Sequence, residues 1–358
     1  MDLKDIRKRI NMIDFEILKL LNSRMEFALR TKKFKSSVTD SQRENEVIDY
    51  IRSHSQGLIE PEFCKKLFAE IISESKRLQL EEVRLIGFHG EHGAFSEVAA
   101  RQFDQHLMYI SCSEYREIFE AVSSGLLHLG IVPFENTLGS SVTDVNQFLV
   151  NTDLQVIGEM KLLVHYSLLT LPETRPEEIR VVYSHRQSLS NCQGYLTKHN
   201  LEARPYYDSA SSAKMLLRER PEATAAIASS FAAEFYNLEI VAEDIGDTKN
   251  NFIRFLILAK DGSHCAGEGN KCSIVFSTRH TAGALYSVLK AFADAGLNLS
   301  RIESMPNRDD PGNYLFFLDF LGKQTDPVVA EVLRQVEEIS LSFRFLGCYP
   351  ASNVQDHP

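Results

Sequence analysis

Ile6, Ile10, Ile13, Ile17 and Leu20 recur at spacings of 4, 3, 4 and 3 residues, the apolar seam of one long helix. At the same spacing the seam continues to Arg24, Ala28, Thr31 and Lys35. Eleven residues at about 100° each bring Arg24 and Lys35 back to one face, about 16 Å apart. Two cations therefore fall where the pattern asks for apolar side chains, and a buried cation needs a partner. A second helix begins near Ser41-Gln42-Arg43-Glu44, a capping-box spelling, and runs through Val47, Ile48 and Ile51. Gln56-Gly57 and Pro61 separate it from a third helix, where Phe68, Ile72, Ser75 and Gln79 repeat the 4, 3, 4 spacing. Polar Ser75 and Gln79 in an apolar seam, with Arg24 and Lys35, predict an anion-holding pocket inside a helical bundle. Arg7 does not share the Arg24 face, and three helices are too few to enclose a pocket around so long a first helix. Both points fit an intertwined dimer in which Arg7 reaches the partner's pocket, although spacing alone reads Arg7 as a solvated charge.

After residue 82 short apolar runs alternate with helix-like runs. Val83–Phe88 reads as a strand, Gly87, Gly90 and Gly93 as a turn, and Ser96-Glu97 as the start of an amphipathic helix carrying Val98, Ala99 and Phe103. Such a turn is either an anion cradle or a tight loop. It has neither a GxxxxGK[ST] nor a GxGxxG spelling, so a nucleotide site is not supported. Strands at Val83–Phe88, His106–Ile110 and Leu129–Pro133, with helices at Glu97–Phe103 and Tyr115–Ser124, predict a doubly wound α/β sheet. Glu135 and Asn136 then fall just beyond a strand's C-terminal end, where such sheets bind ligands. A second α/β run starts near Leu162. Its strand Val181–Ser184 is followed by His185, Gln187 and a helix through Cys192 and Leu196, and Asp208–Ser211 starts another helix. Phe252–Leu258 reads as a strand returning to the first lobe. Two lobes crossed twice leave a cleft suited to small anions. Ser184 and His185, adjacent on a strand end, point apart and do not form a dyad.

Gly262–Gly269 reads as a linker. Beyond it come strand Cys272–Ser277, helix Gly283–Ala295, strands Asn298–Ser304 and Tyr314–Leu321, helix Pro327–Ile339 and strand Arg344–Cys348. That βαββαβ order is an α+β, ferredoxin-like unit. The polar tail, residues 351–358, reads as frayed. The chain therefore divides into an all-α segment, 1–82, a two-lobed α/β segment, 83–262, and the α+β module, 271–350.

Its 358 residues suit two or three domains, and a net charge of −10 argues against general nucleic-acid binding. Residues 1–82 hold 16 Lys+Arg against 15 Asp+Glu, and the remainder 23 against 34, so basic groups concentrate where the anion pocket is expected. The six cysteines have no CxxC spacing and no accompanying His cluster, which favours reduced thiols and no metal. The charged start has no signal core, and no apolar run approaches the ~18 residues of a membrane span. A cytoplasmic protein without a cofactor is expected.

Residues 1–82 resemble the all-helical chorismate mutase family. Its first-helix arginines and lysine fall on Arg7, Arg24 and Lys35, its second-helix Asp-x-x-Arg-Glu on Asp40, Arg43 and Glu44, and its third-helix Ser and Gln on Ser75 and Gln79. The resemblance implies rearrangement of chorismate to prephenate, catalysed by orientation and electrostatics without a nucleophile or general base. It implies Arg7 and Arg24 on the two carboxylates, Lys35 and Gln79 donating to the ether oxygen, and Glu44 on the ring hydroxyl.

Residues 83–262 resemble the prephenate dehydratase family through GEHGAFSE, VPFENTLGSSV, SHRQSLSNC and NNFIRF. The implied reaction expels carbon dioxide and hydroxide from prephenate to give phenylpyruvate, with the protein binding carboxylates and protonating the leaving hydroxyl. The residues carried over are Glu135, Asn136, Ser184, Gln187, Ser209, Arg254 and Phe255. Four positions depart from the family: Ile253 stands at a threonine, Ala94 at a threonine, Asn191 at a glutamine and Arg186 at a proline.

Gly283-Ala284-Leu285-Tyr286 and Glu303-Ser304-Met305-Pro306 resemble the ligand elements of the ACT domain, Met305 standing at an arginine. That implies phenylalanine as effector at a dimer interface. The segment order is that of bifunctional chorismate mutase–prephenate dehydratases. The rival reading is a mutase fused to a non-catalytic prephenate or amino-acid sensor, and a third is a pure binding protein.

Overall fold

The computed structural model describes residues 2–34, 37–55, 57–81, 83–137, 143–261, 269–307, 310, 312–352 and 354–355. It forms two compact units, Met1–Arg84 and Leu85–Pro358. No described helix is long and apolar enough to cross a membrane.

The first unit contains α1 (Leu3–Thr31), α2 (Ser41–His54) and α3 (Pro61–Leu80). The unbroken seam keeps α1 in one piece for 29 residues, about 43 Å. Both α1 and α2 pack against α3. Asp40, one residue before the expected start, caps α2 by accepting from Arg43 N at 3.0 Å. Pro61 opens α3, where its missing N–H is not needed. The apolar seam of α1 remains uncovered in the single chain: Ile6, Ile10, Ile13, Ile17 and Leu20 are 41–71 % exposed.

The second unit opens with β1 (Leu85–His89), α4 (Phe95–Phe103), β2 (Met108–Cys112), α5 (Tyr115–Ser123), β3 (Leu129–Asn136), α6 (Thr143–Val150) and β4 (Gln155–Leu163). The chain then crosses into β5 (Ser167–Thr170), β6 (Val181–Ser184), α7 (Arg186–Asn191), α8 (Gln193–Lys198), β7 (Glu202–Pro205), α9 (Ser209–Glu219), β8 (Thr224–Ala228), α10 (Ser230–Tyr236) and β9 (Glu239–Ala242). It returns as β10 (Phe252–Ala259). The first-lobe sheet runs β15-β4-β10-β3-β1-β2, β15 being Val354–Gln355, and the second runs β7-β6-β8-β5-β9. In the first lobe β10 is antiparallel to both β3 and β4 and inserts between them. Ile253 and Phe95 pack against the cores of both lobes.

The last module is β11 (Lys271–Thr278), α11 (Ala284–Asp294), β12 (Leu299–Pro306), β13 (Tyr314–Leu321), α12 (Pro327–Ile339) and β14 (Ser342–Tyr349), with sheet order β12-β13-β11-β14. Its helices cover one face around Phe276, Val288, Phe292 and Val332. Its β14 lies on β4 of the first lobe. Gly347, at φ +154°, comes so close that a Cβ there would sit 2.0 Å from the Val156 carbonyl oxygen. Arg344 donates to the Leu154 carbonyl at 2.8 Å.

Between that module and the first lobe lies a buried ionic cluster. Arg254 on β10, 1 % exposed, donates from Nε to Glu159 Oε2 at 2.6 Å, from Nη1 to Asp319 Oδ2 at 2.5 Å and from Nη2 to Tyr349 Oη at 3.0 Å. Lys271 Nζ joins at Glu159 Oε2, 2.8 Å, and Ser273 Oγ donates to Asp319 Oδ1 at 2.5 Å. The lobe supplies Arg254 and Glu159, and the module supplies Asp319, Lys271, Ser273 and Tyr349. Burial alone would raise the Asp319 carboxyl, but Arg254, Lys271 and Arg301, with the Ser273 hydroxyl, outweigh it and hold it below the usual carboxylate range. A folded pKa below the unfolded one gives stability that is present above the unfolded value, about 3.9, and lost as pH falls through the folded value. Asp319→Asn should therefore destabilise the second unit by roughly 3 kcal/mol at pH 7, by stripping a buried cation of its anion. The gap from wild type should narrow as pH drops below about 4. Denaturant midpoints of both chains across that range test this, and a gap independent of pH contradicts it.

Candidate functional site

In the first unit a cavity of about 340 Å³ is lined by Arg24, Asp40, Arg43, Glu44, Ser75, Lys76 and Gln79, with apolar Phe27, Val47 and Ile72. Ser75 and Gln79 are buried, as polar residues of an inward seam must be. Arg24 Nη1 donates to Ser75 Oγ at 2.6 Å, and Ser75 Oγ donates to Met25 Sδ at 3.1 Å. Burial draws the Arg24 pKa down from its ordinary value, although a guanidinium remains charged. Lys76 Nζ donates to Glu44 Oε2 at 2.9 Å. Glu44 Oε1 and Gln79 Oε1 are buried with no hydrogen-bond partner among the described residues. A ligand hydroxyl would satisfy the carboxylate, and nothing described holds the Gln79 amide oxygen, so the amide can turn its NH₂ toward an acceptor.

The expected set is only partly assembled. Asp40 caps α2, and Arg43 pairs with Glu46 at 3.1 Å with its side chain mostly exposed. Arg7 lines a different depression, with Asp2, Leu3, Lys8 and Asn11. It lies 17 residues, about 26 Å, along α1 from Arg24. Lys35 is outside the described residues. Lys76 also lines the cavity although the seam does not pass through it; it sits four residues after Ile72 and next to Ser75.

In the second unit the glycine turn is built around the protein's own anion. Glu97, fully buried, accepts from Gly93 N at 2.9 Å, from Arg101 Nη2 at 2.7 Å and stands 3.1 Å from His92 Nδ1. Burial pushes its carboxyl up, but His92, the Gly93 N–H and Arg101 hold it below the usual range. Gly93 adopts φ +91°, and a Cβ there would meet the Ala232 backbone at 2.9 Å. Ser229 Oγ donates to the Gly93 carbonyl at 2.7 Å, tying the turn to the second lobe.

On the second lobe, Ser184, Ser188 and Ser209 form a hydroxyl chain, with Oγ separations of 3.0 Å from Ser184 to Ser209 and 2.9 Å from Ser188 to Ser209. Gln187 Nε2 donates to Asn191 Oδ1 at 3.2 Å, and Asn191 Nδ2 donates to Tyr166 Oη at 3.1 Å. The Asn191 substitution is thus joined to a phenol where the chain crosses between lobes. His185 caps α7 by accepting from Gln187 N at 3.3 Å.

Four expected cleft residues are placed differently than expected. Glu135 and Asn136 lie within β3, not beyond it, because β10 pairs with them and extends the strand: Asn136 opposes Ile253 and Glu135 opposes Arg254. The period of two turns Ile253 toward the interlobe cores and Arg254 into the buried cluster, so Arg254 is not open to the cleft. Phe255 is 2 % exposed and belongs to the first-lobe core. Half-buried Ile253 brings no hydroxyl. The Thr137 hydroxyl stands close by, accepting from Phe252 N at 2.9 Å and lying 3.1 Å from Asn251 Oδ1.

The elements of the last module expected to hold a ligand meet the same region. Arg301 on β12 stacks on Phe134 at 4.0 Å, ion-pairs with Glu303, and lies 3.7 Å from Glu135. Its Nη1 is buried without a partner among the described residues. Glu303 has its carboxyl raised by burial, against the pull of Arg301. Arg301 was missed in the sequence although it precedes Glu303 by two residues, on the same face of a strand. Ser304 is exposed, and Met305, at the arginine position, is buried. Gly283 caps α11 at φ +86°, Ala284 begins that helix, and Leu285 packs on the module's core.

Three family models match the chain: Chorismate mutase type II over residues 6–80, Prephenate dehydratase over 86–263 and ACT domain over 273–338. The bifunctional chorismate mutase/prephenate dehydratase of Aquifex aeolicus is 32 % identical over 99 % of this chain and 99 % of its own length. That of Pseudomonas aeruginosa is 31 % identical over 97 % of both chains. The crystal structure of prephenate dehydratase from Arthrobacter aurescens, in complex with L-Phe, superposes with a TM-score of 0.69 and 30 % identity, covering 75 % of this chain and 90 % of that one. With its helical pocket, its two-lobed α/β body and its ferredoxin-like module in this order, the chain belongs to the bifunctional chorismate mutase/prephenate dehydratase family.

Proposed function

We propose that the chain carries out two successive steps of phenylalanine biosynthesis, from chorismate to prephenate and from prephenate to phenylpyruvate, under feedback control by phenylalanine. The observation that carries the first step is one cavity holding the Arg24–Ser75 pair beside two buried, unpartnered acceptors. Arg24 binds one substrate carboxylate. Glu44, steadied by Lys76, takes the ring hydroxyl, and Gln79 donates to the ether oxygen as its bond to carbon lengthens and the new carbon–carbon bond forms. No proton need move, so the work is orientation and charge stabilisation. The second carboxylate is left to Arg7 of a partner chain. The uncovered isoleucine seam supports that dimer, since a face of that length exposed in one chain is a surface for another helix.

For the second step, prephenate binds between the lobes beside Ser184, Gln187, Ser209 and Asn136. Loss of its ring carboxylate as carbon dioxide and departure of its hydroxyl as water restore an aromatic ring. A protonated hydroxyl must serve the leaving group, and Ile253 cannot. Phenylalanine binds the module near Gly283–Leu285, Glu303 and Ser304, and its effect reaches the lobe through Arg301 and Glu135. The enzyme works in the cytoplasm and needs no cofactor.

Arg24→Ala should lower mutase kcat/KM by roughly 10²–10³-fold with the helical signal retained. Normal turnover, or a chain that unfolds, contradicts the assignment. Arg7→Ala and Arg24→Ala chains, each inactive alone, should regain activity when mixed into verified hybrid dimers, because one of the two pockets is then wild type. Hybrids without recovery exclude the shared pocket. Ile253→Thr should raise phenylpyruvate formation from saturating prephenate by roughly 10²-fold, the worth of a positioned acid. An unchanged rate in the folded variant assigns the proton to another group. No phenylpyruvate from either chain favours the sensor reading.

A further inference from the structure

Cys272 and Cys348 are directly opposed on the antiparallel strands β11 and β14. Both thiols turn to the same side of the sheet, since Cys272 Sγ and Cys348 Sγ lie 3.5 and 3.6 Å from one carbonyl oxygen, that of Gly322. Opposed residues of an antiparallel pair have Cα atoms about 4.5 or 5.5 Å apart, and a disulfide spans about 4.4–6.8 Å, so either pairing geometry admits a bond without moving the backbone. The two thiols differ in their surroundings. Cys272 is fully buried against the module's helices, whereas Cys348 is half-buried at the strand end. Contact with the neighbouring Cys272 sulfur lowers the Cys348 pKa from its ordinary value. The same contact, with burial, raises Cys272. Cys348, the more accessible sulfur, is thus the reachable nucleophile and Cys272 the protected resolving thiol.

We propose that Cys272 and Cys348 form a reversible intramolecular disulfide by exchange with a low-molecular-weight disulfide such as oxidised glutathione. The Cys348 thiolate attacks one sulfur of the oxidant, forming a mixed disulfide and expelling one glutathione thiolate. Cys272 gives up its proton to that thiolate and attacks Cys348 Sγ, expelling the second. Two protein thiols are oxidised by two electrons and one glutathione disulfide is reduced to two thiols. The bond would join β11 and β14 one residue from Lys271 and Tyr349, which point through the opposite face of the sheet into the Arg254 cluster. The oxidised module would therefore hold its docking side chains on two covalently tied strands.

The test incubates the native full-length chain with oxidised glutathione, blocks remaining thiols, and maps peptides by mass spectrometry. The expected result is a Cys272–Cys348 linked peptide lighter by two hydrogens, lost on dithiol treatment, and an upward shift of the thermal midpoint. Cys272→Ser should stop the reaction at a glutathione adduct on Cys348, and Cys348→Ser should leave Cys272 unmodified. The proposal is overturned if the wild-type chain stops at the Cys348 adduct, if Cys272 is linked elsewhere, or if neither residue reacts until the chain is unfolded.

Discussion

Arg254 is a cation that the fold cannot leave alone. Enclosed between the first lobe and the last module, it would carry a desolvation cost of several kcal/mol without partners. It meets three carboxylates and a phenol, of which Glu159 and Glu135 come from its own lobe and Asp319 and Tyr349 from the module. Removing the module would therefore expose the cluster and strand half of its charges. This is why the dehydratase lobes and the ferredoxin-like module form one compact unit while the helical segment stands as another. The same strand, β10, presents Ile253 to the interlobe side, so the regulatory dock and the cleft share one backbone element.

That sharing shapes how a signal could travel. Glu135 lies within 3.5 Å of Arg254 and 3.7 Å of Arg301, and Arg301 also holds Glu303. A ligand that drew Glu303 away would leave the Arg301 guanidinium with Glu135 as its remaining carboxylate partner among the described residues. Competition of two carboxylates for one cation is a two-state element of the kind allostery needs.

The seams were legible because helical periodicity reports on packing directly. Ser75 and Gln79 are buried where the seam placed them, and Arg24 meets Ser75 across the bundle. Lys76 lies off the seam because a seam is one line of residues, whereas a pocket wall is two residues wide. The strand-end reading of Glu135 and Asn136 failed for a different reason. Leu129–Pro133 looks complete by composition, and only the antiparallel partner β10, more than a hundred residues later, extends it. Which face Arg254 takes is likewise settled by Asp319 and Tyr349, residues no local pattern connects to it. Several strands of the second lobe, β5, β7 and β9 among them, are only four residues long and gave no periodic signal.

The internal carboxylate in the glycine turn has a consequence for binding. Because Glu97 already occupies the N–H of Gly93, and Ser229 fastens the turn's carbonyl to the opposite lobe, this rim of the cleft is set before any ligand arrives. Ordering a loop around a substrate consumes conformational entropy that would otherwise appear as affinity. Here that ordering belongs to folding. The turn then acts as a fixed jaw, and any closing of the lobes pivots about a point that Gly93 and Ala232 keep too tight for even one added methyl group.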